Sequence, residues 1–267
     1  VEAQYLSSLN HDNILKLRGW AATGIESYSN GKHNGYFLIL DRLEDTLDRR
    51  FESWKIRRDS KSFSCIEKST NNNDDILDQV KVVSQVAAAL RYLHSKNIVF
   101  RDLKPGNIGF DRFGVVKIFD FGLARDLPEI YVWGGSKNNE YKMTGMVGTL
   151  RYMAPENALM KNYNQKVDVY SWALIFWSCL TLEKPYQKMT RNIYLNNICR
   201  LGHRPVLQDD WHISICFLLE KSWAQELCDR ITMVEVCQYL QQIEDEINID
   251  LELESSSLEP YHNHFKT

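Results

Sequence analysis

VFRDLKPGNIGF, residues 99–110, is the stretch on which the reading of this chain turns. Asp102, Lys104 and Asn107 lie close together between apolar residues on both flanks. Burying unpaired polar groups is costly. Either these three satisfy one another at the surface, or they face a cleft where something charged arrives. The flanks favour a cleft. Upstream, Ile76, Val80, Val83, Ala87, Leu90 and Leu93 recur at helical spacing, which predicts a helix of about five turns. Downstream, NIGF-DRFG-VVKIFDF reads as a hairpin with Gly114 in its turn.

A second polar group follows. Asp120-Phe121-Gly122 stands directly after the strand-like VVKIF. A carboxylate at a strand end, followed by glycine, can point into a cleft while the chain turns away. Asp102, Asp120 and the Asn107 amide are hard oxygen donors. They suit Mg²⁺ held jointly with phosphates. Lys104, two residues from Asp102, can neutralise charge on a transferring phosphoryl group. Phosphoryl transfer needs mainly positioning and electrostatic stabilisation, and this set supplies both.

Size and composition bound the answer. The chain has 267 residues, enough for one large domain or for two lobes sharing a cleft. A hydrophobic fraction of 44% and a charged fraction of 25% are those of a globular protein. The net charge of -3 gives no field that argues for nucleic acid or an anionic membrane. The longest apolar run, VYSWALIFWSCL at 169–180, is too short to span a bilayer and predicts a fully buried helix. The six cysteines form no C-x-x-C pair, so reduced thiols and an intracellular, cytoplasmic setting are expected, with the nucleus an alternative.

Along the chain, EAQYLSSL at 2–9 reads as the end of an amphipathic helix with Tyr5, Leu6 and Leu9 inward. ILKLRGW (14–20) and YFLIL (36–40) read as strands joined by a Gly/Ser/Asn-rich turn. Residues 56–75 are polar and aperiodic and read as a flexible insert. From about residue 152 the pattern is almost wholly helical. The acidic tail, 246–267, reads as disordered. The order is a little β, then mostly α, with the polar cluster at the junction.

These motifs together resemble a protein kinase of the serine/threonine type. FRDLKPGN is similar to the catalytic loop H-R-D-L-x-x-x-N, with Phe100 where His is usual. DFG at 120–122 and APE at 154–156 complete the order. KSWAQELCDRITMVEV looks closest to the tyrosine-kinase-like branch of these enzymes. The resemblance implies an α+β, two-lobed fold. Residues 1–43 would be a small β lobe truncated at its N-terminus, with the hinge, and residues 44–245 a large, mostly α lobe.

It also implies roles. ATP and Mg²⁺ would be bound, and protein hydroxyls would be the substrates. Asp102 would orient the substrate hydroxyl or take its proton. Lys104 would contact the γ-phosphate, and Asn107 and Asp120 would hold Mg²⁺. Leu40 would be the gatekeeper, and the backbone of Asp41 and Leu43 would hydrogen-bond adenine. Asp168 would support the catalytic loop, and Arg230 would pair with Glu156. Leu6, Leu17, Phe100 and Phe121 would form an apolar stack, which a phenylalanine at 100 fits.

Two departures stand out. No G-x-G-x-x-G occurs, and no strand lysine is present to pair with Glu2, which aligns with the helix glutamate of the small lobe. The expectation is a piece of a longer chain; the alternative is a degenerate kinase or a scaffold built on the same fold. Second, Gly109 would lie under adenine, where a larger apolar residue is usual, and predicts a roomier pocket floor. Arg101 before the catalytic aspartate is a pattern that goes with a phosphorylated activation loop. Thr144 is then the expected phosphosite for an upstream kinase, ahead of Tyr131, Ser136 and Tyr141. Thr149 is expected to be structural, near Asp102 and Lys104. His11 reads as a turn or packing residue, and the seven tryptophans as core or cleft aromatics.

Overall fold

The computed structural model describes residues 1–21, 37–63, 71–128 and 140–257. The Gly/Ser/Asn-rich turn, Trp133, Tyr131 and Ser136 lie outside the described residues. The chain opens with α1 (Glu2–Ser8), which buries Leu6 and leaves Tyr5 and Leu9 half-buried. Strands β1 (Leu17–Ala21) and β2 (Phe37–Leu40) pair antiparallel, with Leu17 opposite Leu40 and Trp20 opposite Leu38. Next come β3 (Asp45–Thr46), α2 (Leu47–Phe63) and α3 (Asn71–Ser95). The short strands β4 (Ile98–Val99), β5 (Ile108–Phe110), β6 (Val116–Ile118) and β7 (Arg125–Asp126) carry the polar clusters between them. Sheet order is β3-β5-β6 in one antiparallel sheet and β4-β7 in another. The rest is helical: α4 (Pro155–Ala158), α5 (Lys166–Thr181), α6 (Arg191–Ile193) running into a π-helix over Tyr194–Arg200, α7 (Ile213–Ser222) and α8 (Met233–Ser257). This is the α+β architecture, a few strands and mostly helix, that the sequence predicts.

The hairpin forms where Gly114 was read as its turn. Gly114 adopts a φ of 78°, which only glycine takes at little cost. Asp111 Oδ1 accepts from the Phe113 and Val115 amides and fixes the turn. The strand start before β1 is tied to β6 rather than to a turn alone. Leu15 N–H donates to Ile118 O (3.0 Å) and Ile118 N–H to Asn13 O (2.9 Å). His11 has the expected turn role: its Nδ1 accepts from Asn13 N–H (3.0 Å), and its ring packs on Tyr92.

Helix α5 is the centre of the large lobe. VYSWALIFWSCL is buried along nearly its whole length, as a helix apolar on every side must be. Trp172 Nε1 donates to Val83 O (2.9 Å) and pins α5 to α3. Trp172, Trp177 and Trp223 are buried, whereas Trp20 stands 55% exposed on β1. Among the described residues no helix is long and apolar enough to cross a membrane.

Two expectations from low periodicity do not hold. Residues 56–63 are not a loose insert but the second half of α2, and 71–75 are the first turn of α3; residues 64–70 lie outside the described ones. Phe51 and Trp54 anchor α2 on the core, and Arg58 donates to Thr181 O (3.0 Å), so one narrow contact line suffices and the remaining face is polar. Likewise, 246–257 continue α8. Ile243 and Ile247 are buried, and Ser214 Oγ donates to Glu246 (2.8 Å), so this part of α8 is packed on the fold. Thr232 and Glu235 start α8 as a capping box: Thr232 N–H donates to Glu235 Oε2 (2.7 Å), and Glu235 N–H donates to Thr232 Oγ1 (3.3 Å).

Glu156 and Arg230 meet as predicted. Both are buried, and Arg230 donates bidentately at 2.6 and 3.1 Å, with further bonds to Ala224 O and Lys166 O. Removing one partner strands the other charge. Glu156→Ala should cost about 3–5 kcal/mol in chemical denaturation; a loss under about 1 kcal/mol would show that the pair is dispensable.

Candidate active site

The polar cluster is built by one sharp turn in the chain. Arg101 adopts a φ of 71°, which a non-glycine residue takes only when its surroundings hold it there. The holding group is Asp168, fully buried on α5. Its Oδ2 accepts from Phe100 N–H (2.9 Å) and its Oδ1 from Arg101 N–H (2.8 Å). His94 Nε2, at the end of α3, lies 2.9 Å from Oδ2. The turn buries Phe100 on one side and presents Asp102 on the other.

Phe100 meets Phe121 edge to face at 5.1 Å, and both are fully buried. Leu6 is buried in the large apolar cluster that holds both rings, and Leu17 packs against that cluster. Tyr5 extends it: its ring lies 6.5 Å from Phe121, and its hydroxyl donates to Asp126 on β7 (3.1 Å). Partial burial, and after it the Asp126 charge, push the Tyr5 phenol pKa up, which keeps that donor protonated.

Asp102 is 7% exposed, and both of its carboxylate oxygens accept hydrogen bonds. Oδ1 accepts from Thr149 N–H (2.8 Å) and Thr149 Oγ1 (2.9 Å). Oδ2 accepts from Lys104 Nζ (2.7 Å) and Asn107 Nδ2 (3.2 Å). Asn107 Nδ2 also donates to Asp102 O at 2.9 Å. The amide nitrogen is thereby spent on Asp102, and Oδ1 of Asn107 is left without a donor among the described residues.

Asp120 is brought alongside. Phe119 N–H donates to Asn107 O (3.0 Å), so the chain enters Asp120 beside Asn107. Asp120 has a φ of 67°, is exposed, and accepts only a long bond (3.4 Å) from Gly122 N–H among the described residues. An amide oxygen and an exposed carboxylate are fitting donors for Mg²⁺. Among the described residues no cluster of three or more His, Cys, Asp or Glu side chains could hold a metal alone. A cation here would take its remaining ligands from phosphate and water.

The hinge segment lies against β5. Glu44 N–H donates to Phe110 O (2.8 Å), and Thr46 pairs with Gly109. Asp41 N–H is committed to Lys16 O (3.0 Å), and the Asp41 side chain pairs with Arg18, whose hydrogen bond pulls the carboxyl below its usual range. The Asp41 carbonyl and the Leu43 N–H have no partner among the described residues. Leu40 closes β2, half-buried, opposite Leu17. Glu2 is not brought into the cluster: it sits in the first turn of α1, half-buried, and forms no ion pair among the described residues.

Gly109 does not leave a roomier floor. A Cβ built there would lie 2.6 Å from Leu43 Cδ1 and 3.2 Å from Asp45 O. The leucine of the hinge has taken the volume that the glycine gives up.

A family model for the protein kinase domain matches residues 1–240. The chain belongs to the protein kinase domain family. Serine/threonine-protein kinase STY17 of Arabidopsis thaliana is 36% identical over 171 residues, 64% of this chain and 28% of that protein. RGS domain-containing serine/threonine-protein kinase A of Dictyostelium discoideum is 35% identical over 172 residues, 64% of this chain and 14% of that protein. A putative mitogen-activated protein kinase kinase kinase 7-like protein of Drosophila melanogaster is 34% identical over 191 residues, 70% of this chain and 40% of that protein. The chain thus spans less than half the length of these curated relatives.

Within this kinase domain, sequence reasoning missed His94 and Tyr163. His94 closes the set of donors on Asp168, and its position at the end of the predicted α3 was the available signal. Tyr163 leaves none, because it acts through a hydroxyl on a distant carbonyl. It also changes the reading of Arg101, whose guanidinium is 6% exposed and bonded to Leu123 O (2.7 Å) and Tyr163 Oη (3.2 Å). Arg101 does not stand open toward a phosphate on Thr144, whose side chain is exposed.

The Gly109–Leu43 contact is testable by stability alone. Gly109→Ala should cost about 1–3 kcal/mol through overpacking, and most of that should return in the double variant with Leu43→Ala. Simple additivity in the double-mutant cycle would show that Leu43 does not fill the site.

Proposed function

We propose that the chain transfers the γ-phosphoryl group of ATP to serine or threonine hydroxyls of protein substrates. The observation that carries this is the environment of Asp102, a nearly buried carboxylate held by Lys104, Asn107 and Thr149. A carboxylate so fixed is preorganised to orient a substrate hydroxyl and take its proton as the oxygen attacks phosphorus. Lys104 Nζ, 2.7 Å from Asp102, is positioned to bond both that carboxylate and the phosphoryl group in flight. The bond that forms joins the substrate oxygen to the γ-phosphorus. The bond that breaks is the one to the β–γ bridging oxygen, and ADP leaves.

Asn107 and Asp120 would hold Mg²⁺, which would supply neutralising charge for the phosphates. The free Asp41 carbonyl and Leu43 N–H would pair with the adenine edge, with Leu40 behind it. The serine/threonine type is supported by Lys104 and Thr149 in these positions and by the similarity to serine/threonine-protein kinases.

The test is transfer of label from γ-labelled ATP to a serine/threonine-containing protein by the purified protein. Asp102→Asn should lower the rate about 10²–10⁴-fold while the helical circular dichroism signal is kept. Equal rates in the wild type and Asp102→Asn would end the proposal. So would a protein that folds and transfers nothing.

A further inference from the structure

Residues 140–149, between the DFG and APE motifs, lie clamped on residues 157–163. Tyr141 N–H donates to Tyr163 O (2.9 Å), and Tyr163 N–H returns to Tyr141 O (3.1 Å). Asn157 donates from Nδ2 to Val147 O (2.9 Å), and Met146 N–H donates to Asn157 O (2.9 Å). Gly145 packs so closely on Met160 that a Cβ would lie 2.7 Å from its Cα, so a side chain there would push the segment off. All of these contacts are uncharged.

Tyr163 joins this clamp to the catalytic loop. It is fully buried. Its hydroxyl donates to Thr144 O (2.8 Å) and accepts from Arg101 Nη1 (3.2 Å), the two roles one phenol can fill together. Arg101 immediately precedes Asp102, and its Nε is committed to Leu123 O (2.7 Å), just past the DFG glycine. One hydroxyl therefore connects the catalytic loop to the activation segment.

We propose that Tyr163 is a positioning residue that holds residues 140–149 on the catalytic loop in the unphosphorylated chain, so that activity does not depend on phosphorylation of Thr144. The proposal rests on the phosphoryl-transfer reading above. The Arg101 guanidinium is buried against neutral oxygens, and the Thr144 carbonyl is already held by Tyr163. A phosphate on Thr144 would have to uncover Arg101 and break this link before it could replace it.

The experiment compares the wild type, Tyr163→Phe and Thr144→Ala, each with and without phosphatase treatment. Phosphatase treatment and Thr144→Ala should leave kcat within about twofold. Tyr163→Phe keeps the ring and loses one bridging hydroxyl. It should lower kcat about five- to tenfold, the equivalent of about one hydrogen bond, while the KM for ATP holds. Amide exchange at Tyr141 and Met146 should accelerate before global unfolding. Loss of activity on phosphatase treatment or in Thr144→Ala would overturn the proposal. So would wild-type kcat and wild-type exchange in Tyr163→Phe. Should the wild type itself transfer no phosphate, the phosphoryl-transfer reading fails first, and the exchange comparison still decides whether Tyr163 holds the segment.

Discussion

A single buried carboxylate carries the site. Asp168 takes the amides of Phe100 and Arg101 and the imidazole of His94, and it does so from the fully buried first turn of α5. An ionised group in such a place is tolerated only when several donors surround it. Here the donors are the backbone of the catalytic loop itself. The cost of burying the charge and the cost of the left-handed Arg101 are offset by the same two bonds. Neither feature is stable without the other.

What that turn achieves is a division of neighbouring residues between two environments. Phe100 goes into the apolar core against Phe121, and Asp102 goes to the polar cluster. The carboxylate arrives there already bonded to Lys104, Asn107 and Thr149, three groups drawn from the loop and from the segment before APE. Donors fixed in advance need no reorganisation when a hydroxyl and a phosphoryl group arrive, which is the main electrostatic advantage a protein has over water. The hinge contributes by backbone geometry. Glu44 N–H and the Thr46–Gly109 pairing hold the linker on β5, and Leu43 is thereby pressed onto the one residue without a side chain.

How much of this was legible in the sequence follows from what kind of atom does the work. Asp102, Lys104, Asn107 and Asp120 were readable because polar side chains between apolar flanks are conspicuous, and their order completes a known pattern. The buried α5 was readable from an unbroken apolar run. Helix α2 beyond residue 56 and α8 beyond 246 were not, because few side chains anchor each there: Arg58 ties α2 to Thr181 O, and Ile247 is buried on α8. So narrow a contact line does not register as periodicity. Leu43 over Gly109 was misread as empty space, since a missing side chain in one segment says nothing about a side chain from another. Contacts made by backbone carbonyls, such as Thr144 O and Leu123 O, carry no sequence mark at all.

The left-handed turn at Arg101 has a second consequence beyond the placement of Asp102. A backbone that presents residue 102 to the cleft must send the side chain of residue 101 the other way, into the ground between the DFG strand and the APE segment. The guanidinium there meets Leu123 O and Tyr163 Oη, and through Tyr163 the carbonyl of Thr144. Thr149, five residues on, bonds Asp102 from the same segment by both its amide and its hydroxyl. The catalytic carboxylate is therefore reached by two short routes from the activation segment, one through its own oxygens and one through its neighbour's side chain. Displacing the segment must disturb both. The position of residues 140–149 and the orientation of Asp102 are in this way a single structural variable, set by the buried charge of Asp168.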